Sequence, residues 1–127
     1  MGRRVLVVDD DGDILALVEA VLAEEGYEVS VARNGREALG GLSRSLPDLI
    51  LLDLAMPVMN GWEFVRALRE RGEVARVPIV VMTASPQPSG QVLPASVTAY
   101  LAKPFDLDDL LSCVAKSLGQ HEPAVLR

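Results

Sequence analysis

Asp9, Asp10, Asp53, Thr83 and Lys103 are the residues whose types and spacing could do chemistry. Asp53 ends the unbroken apolar run Leu49-Ile50-Leu51-Leu52, and Asp9 and Asp10 end the run Arg4–Val8. Thr83 closes Pro78–Met82, and Lys103 closes Tyr100–Ala102. An apolar run without alternation reads as a strand buried on both faces. In an open parallel sheet, ligands sit at the carboxyl ends of such strands. A carboxylate there is half-shielded from water and suits a nucleophile that accepts a phosphoryl group, so Asp53 is assigned that part. Two carboxylates ~4 Å apart repel by about 4 kcal/mol at an effective dielectric near 20. Asp9, Asp10 and Asp53 therefore need a counter-charge. Mg²⁺, a hard cation with oxygen ligands, suits them and would also screen a phosphoryl oxygen during transfer. Lys103 offers a second positive charge, Thr83 a hydroxyl donor, and Ala84 a small side chain that leaves the approach open.

The elements that must position these groups follow from periodicity. Strand one, Arg4–Val8, leads into a helix over Gly12–Glu25 with Ile14, Leu17, Val18, Val21 and Leu22 as its buried stripe, stopped by Gly26. Strand two is Tyr27–Ala32. A second helix starts at Asn34, with Glu37 completing a capping box. It is weakened by Gly40-Gly41 at about 1 kcal/mol each and ended by Pro47. Strand three reaches Asp53, followed by the Met56-Pro57 break and the Asn60-Gly61 turn. A third helix packs through Phe64, Val65 and Leu68 and stops near Gly72. After strand four, Ser85–Ser96 carries three prolines and a glycine, and proline costs about 3 kcal/mol inside a helix. That segment is expected to be an irregular or shortened helix. Strand five is Tyr100–Ala102. The last helix runs over Asp106–Leu118 with Leu107, Leu110, Leu111, Val114 and Leu118 buried. Alternating strands and helices predict an α/β doubly wound, five-stranded parallel sheet. The flavodoxin-like order 2-1-3-4-5 would bring strands one and three together at the switch point. Residues 1–119 form the domain and 120–127 a loose tail.

At 127 residues the chain suits one domain. The net charge of −6 disfavours direct nucleic-acid binding, which wants a basic face, and an anionic membrane surface. The single cysteine, Cys113, excludes an intrachain disulfide and suits a reducing compartment. No run approaches the ~18 apolar residues of a membrane span, and no signal peptide precedes strand one. The expected location is the cytoplasm.

The residues Val7-Val8-Asp9-Asp10, Leu51-Leu52-Asp53-Leu54-Ala55-Met56-Pro57 with Gly61, Met82-Thr83-Ala84, and Tyr100-Leu101-Ala102-Lys103-Pro104-Phe105 resemble the receiver domain of two-component response regulators, in the style of single-domain chemotaxis regulators. The likeness runs from Arg4 to Leu118. It implies that Asp53 is the phosphoacceptor, charged by a histidine kinase or a histidine phosphotransfer protein. It implies that Asp10, Asp53 and the backbone carbonyl of Ala55 bind Mg²⁺ directly, with Asp9 acting through water. Thr83 and Lys103 would hold the phosphoryl group, Tyr100 would turn inward as Thr83 moves, and Lys103-Pro104 would be cis. Signalling would then run through a conformational change and protein contacts to an unknown downstream protein. The chain would be no enzyme beyond its own Mg-dependent phosphorylation and dephosphorylation. No output domain follows the last helix, so a free-standing regulator or a piece of a longer protein is expected.

Two departures matter. Ser85–Ser96 replaces a regular helix that commonly carries the output surface in relatives. Ala55 stands where the family tunes how water reaches the phosphate, and alanine cannot position water by a side-chain hydrogen bond. A long-lived phosphoryl group is therefore expected, and an unchanged dephosphorylation rate in Ala55→Asn would contradict it. Two other functions compete. Asp9-Asp10-Asp11-Gly12 fits the Asp-x-Asp-Gly pattern of haloacid-dehalogenase phosphatases, with Asp9 as nucleophile and Asp11 as general acid. That reading leaves Asp53 unexplained, and no acidic pair follows Lys103 at a strand end. The other is a receiver-fold module acting through contacts alone. Trp62 reads as helix-start packing, and His121 lies in the tail.

Overall fold

The computed structural model describes residues 3–42, 44–54, 59–71, 76–84 and 97–119. Five strands, β1 (Arg4–Val8), β2 (Glu28–Ala32), β3 (Leu49–Asp53), β4 (Ile79–Thr83) and β5 (Val97–Ala102), alternate with α1 (Gly12–Glu24), α2 (Gly35–Leu42), α3 (Gly61–Leu68) and α4 (Leu107–Ser117). The sheet is parallel throughout, in the order β2-β1-β3-β4-β5. The expected order is therefore the observed one. Ser85–Ser96, Ala55–Pro57 and the tail 120–127 lie outside the described residues, so the expectations about them, His121 included, are not addressed by the fold.

β3 and β4 are buried along their whole length because helices cover both faces of the sheet. On one face Leu6, Val8, Ile50, Leu52 and Val81 pack against Ala38, Leu42, Phe64, Val65 and Leu68 of α2 and α3. On the other, Val5, Val7, Leu49, Leu51, Val80 and Met82 pack against Leu15, Val18 and Leu22 of α1 and Leu110 and Val114 of α4. The period of two along each strand thus feeds two separate cores.

Several boundaries and faces differ from the sequence expectation. In α1 the buried residues are Leu15, Val18 and Leu22, while Leu17 is 48% exposed. Successive helical residues diverge by about 100°, so a face centred on Val18 turns Leu17 aside. Leu107, the first residue of α4, is likewise exposed, and Leu111 is only partly buried. β5 begins at Val97, earlier than Tyr100, because this edge strand alternates partly buried and exposed positions up to Tyr100 and shows no continuous apolar run. β2 begins at Glu28; the Tyr27 N–H is still committed to the carbonyl of Leu22 at the end of α1. α2 ends at Leu42, so Pro47 lies beyond it and does not terminate it. α3 ends at Leu68, short of Gly72.

Helix starts are set by side chains. Asp11 caps α1, accepting from the N–H groups of Asp13 and Ile14. Asn60 and Glu63 form a reciprocal capping box at α3, at 2.9 Å in each direction. At α2 the Asn34 side chain accepts from Glu37 N–H at 2.8 Å, but the Glu37 carboxylate reaches past it to Arg33 N–H. Among the described residues no helix is long and apolar enough to cross a membrane.

Candidate phosphoryl-acceptor site

The site is built at the carboxyl edge of the sheet, where β1 and β3 lie side by side. Their ends deliver Asp9 and Asp53, and the turn into α1 delivers Asp10. One carboxylate oxygen from each of the three lies within 4.8 Å of the others. Asp9 is fully buried and Asp53 is 6% exposed, while Asp10 faces solvent. This is an all-oxygen donor set of the kind that hard divalent cations take.

Asp9 is held from two sides. Its Oδ1 accepts the Asp11 N–H at 2.9 Å, and its Oδ2 accepts from Lys103 Nζ at 2.8 Å. The same ammonium stands 3.6 Å from Asp53 Oδ1. Lys103 is placed by its backbone: its N–H donates to the carbonyl of Thr83 at 2.9 Å, locking the end of β5 to the end of β4. Thr83 is buried at that strand end. The Lys103–Pro104 peptide is cis.

Burial alone would lower the pKa of Lys103. The hydrogen bond to Asp9 and the charges of Asp9 and Asp53 together outweigh it and raise the pKa above the ordinary 10.5. A lysine whose folded pKa is raised contributes stability that is fully present below its unfolded value and is lost as pH rises through the folded one. Urea unfolding of the wild type is therefore expected to show a fall in stability above about pH 10.5 that is steeper than in Lys103→Met, where only groups such as Tyr27 and Cys113, also raised by burial, still contribute. Parallel pH profiles for the two proteins would contradict this.

Asp9, Asp10, Asp53, Thr83 and Lys103 thus share one edge, as the spacing suggested. Tyr100 stands apart, 48% exposed on edge strand β5. Ala55, whose carbonyl was expected to face a metal, lies outside the described residues. Trp62 packs against the α2–α3 core, and Cys113 is half-buried beside the other. The phosphatase alternative fares poorly. Both oxygens of Asp9, its nucleophile, are engaged on a fully buried side chain, and Asp11, its acid, is committed to capping α1.

Gly61, read from the sequence as a turn, a helix start and one of the residues that carry the resemblance, is a structural part of the site. A Cβ there would stand 2.6 Å from Leu54 Cα and 2.8 Å from Asp53 O. Its N–H donates to the Leu54 carbonyl at 2.9 Å. α3 therefore begins in direct backbone contact with the end of β3. Only the fold shows this contact; Asn-Gly reads equally well as a turn or as a helix start.

A parallel sheet in this order, with three acids and a lysine converging at its switch point, is the arrangement of a receiver domain. The family model for the response regulator receiver domain matches residues 5–115, and the chain belongs to that family. It is 44% identical over 120 residues to the transcriptional regulatory protein PrrA of Mycobacterium leprae, covering 93% of this chain and 51% of that protein. The chemotaxis response regulator CheY4 of Vibrio cholerae superposes with a TM-score of 0.83 at 34% identity, covering 92% of this chain and 99% of that one. The receiver domain of sensor histidine kinase PA1611 from Pseudomonas aeruginosa, solved with magnesium in its active-site cleft, gives 0.84 at 32% identity, covering 94% and 100%. The chain spans about half the length of the curated relatives it matches.

Proposed function

We propose that Asp53 accepts a phosphoryl group from a histidine kinase or a histidine phosphotransfer protein. The observation that carries this is the single ammonium of Lys103, 2.8 Å from Asp9 and 3.6 Å from Asp53, at an edge where three carboxylates converge. An Asp53 oxygen bonds to phosphorus as the bond to the donor nitrogen breaks; the freed imidazole keeps the electron pair and takes a proton. Lys103 and the Thr83 hydroxyl steady the phosphoryl oxygens. Asp10 and Asp53 would hold Mg²⁺, with the Ala55 carbonyl as a further ligand and Asp9 acting through water; the hard oxygen donors fit it, and the magnesium-bound relative supports it. When bound, the cation supplies charge neutralisation for the transfer.

The protein is no enzyme beyond these steps on itself, and it works in the cytoplasm. Phosphorylation shifts Thr83, Tyr100 turns inward, and the altered surface reaches a downstream protein. The test is intact mass after incubation with Mg²⁺ and acetyl phosphate, followed by peptide mapping. One phosphoryl group on Asp53, absent in Asp53→Asn and after chelation of Mg²⁺, is expected. Label on Asp9 would revive the phosphatase reading, and no label together with no Mg²⁺ binding would favour a contact-only module.

A further inference from the structure

Arg33 is a charged residue at the same edge that the proposed chemistry does not use. It follows Ala32, whose carbonyl accepts the Asp9 N–H at 3.1 Å, so the end of β2 flanks the acids on the side away from β3. Its backbone N–H is held by Glu37, which fixes where the side chain departs. The guanidinium lies over Gly12, the first residue of α1. A Cβ at Gly12 would stand 3.3 Å from one terminal nitrogen, 3.8 Å from the other and 3.9 Å from the carbon between them. Gly12 is two residues past Asp10, the acid that faces solvent. Among the described residues Arg33 makes no side-chain ion pair, although Asp10, Asp11 and Asp13 lie within two residues of Gly12 and the Glu37 carboxylate holds its backbone N–H. Lys103 is committed to Asp9 and Asp53 on the far side of the cluster.

We infer that Arg33 is a positioning residue that draws the phosphodonor anion to the mouth of the site. The inference rests on the proposed phosphoryl acceptance by Asp53. Charge bookkeeping supports the assignment. Three carboxylates, one ammonium and a divalent cation cancel, so a neutral site by itself has no long-range pull on a dianion. A guanidinium beside the mouth offsets part of the repulsion that Asp11, Asp13 and Glu37 add, and among the described residues it is tied up in no ion pair. Its place on glycine keeps it against the edge, while Arg33 never touches the reacting atoms. The same charge acts with opposite sign on a cation approaching Asp10. Arg33 should thus favour donor binding and disfavour Mg²⁺ binding, a pairing that no purely structural role produces.

The experiment compares wild type, Arg33→Gln and Arg33→Lys. Calorimetry reads Mg²⁺ affinity, and labelling of Asp53 is followed against donor concentration. Acetyl phosphate, close to a dianion at neutral pH, is compared with the less charged phosphoramidate. In Arg33→Gln, half-saturation by acetyl phosphate is expected to need roughly fivefold more donor, from the Coulomb energy of one charge on a dianion near 8 Å in water. The limiting rate should hold, phosphoramidate should lose less, and Mg²⁺ should bind tighter by a similar factor. Arg33→Lys should restore both values, and about 1 M salt should erase the differences because the screening length falls to about 3 Å. A wild type labelled on Asp53 with Arg33→Gln unchanged in both donor and Mg²⁺ affinity overturns this inference alone. So does a lowered limiting rate with unchanged half-saturation. A wild type that takes no label overturns the proposed function and this inference with it.

Discussion

Lys103→Met is expected to lower the unfolding free energy by about 3 kcal/mol in Mg²⁺-free buffer, the scale on which removal of one partner from a buried ion pair acts. Asp9 is fully buried, and Lys103 Nζ is the charged donor on its Oδ2. The substitution leaves that carboxylate without a counter-charge and removes the ammonium that stands beside both it and Asp53. The cost belongs to the abandoned charge, not to lost packing, since Met keeps the length of the stem. Two controls separate these. Adding Asp9→Asn to Lys103→Met should recover most of the loss, because the buried charge is then gone as well. Adding Mg²⁺ should recover part of it, because a cation among the acids does the screening that the ammonium did. Chemical denaturation of the wild type, Lys103→Met and the double variant, with and without Mg²⁺, measures this. A double variant as unstable as Lys103→Met alone would show that the lysine acts through packing.

Gly61→Ala is the second large effect. The added methyl would meet Leu54 Cα at 2.6 Å and Asp53 O at 2.8 Å, and backbone atoms of a buried strand end do not swing aside. Overpacking of this kind costs about 1–3 kcal/mol, occasionally more. Alanine's higher helix propensity returns no more than about 1 kcal/mol, so the net sign is destabilising. Relief requires α3 to back away from β3, which moves Asp53, so Asp53 labelling should slow as well. Gly41→Ala is the matched comparison. Nothing lies within 4 Å of a Cβ there, in the body of α2, and the same substitution should stabilise the protein by up to about 1 kcal/mol. Thermal melts of the two variants should move in opposite directions. Equal and small shifts would mean that the contact at Gly61 yields without strain.

The strand ends were legible for a physical reason. Leu49–Leu52 and Val5, Val7 and Val8 are wholly inaccessible to solvent, so the sequence tolerates no polar residue there, and the first acid past each run stands out. Alternation and handedness narrowed the sheet to a few orders, of which 2-1-3-4-5 sets the acid-bearing strands side by side. Helix faces were harder to read. α1 is apolar at Ile14, Leu15, Leu17, Val18, Val21 and Leu22, and such density supports more than one stripe; packing against β1 and β2 selected Leu15 over Leu17. The start of β5 was hidden because an edge strand alternates. Which acid of Asp9-Asp10-Asp11 caps α1 was undetermined, since all three can, and the answer depends on where the chain first turns. Contacts between distant segments left no trace in the sequence: the seat of Gly61 on Asp53 and Leu54, and of Arg33 on Gly12, exist only once the sheet has formed.

The bond between Lys103 and Asp9 joins residues 94 positions apart. Translation runs from the amino terminus, at about 5–20 residues per second, so even Asp53, the last of the three acids, is synthesised roughly 3–10 s before Lys103 at that pace. β1 and β3 can pair as soon as both exist, and pairing them brings like charges together. The growing chain therefore meets the repulsion of its own site before it possesses the fixed charge that relieves it. During that interval a dissolved cation or bound protons must stand in for Lys103 among the acids. The carboxyl-terminal part of the chain, which adds β5 and α4, thus also brings the ammonium that holds Asp9 and stands beside Asp53.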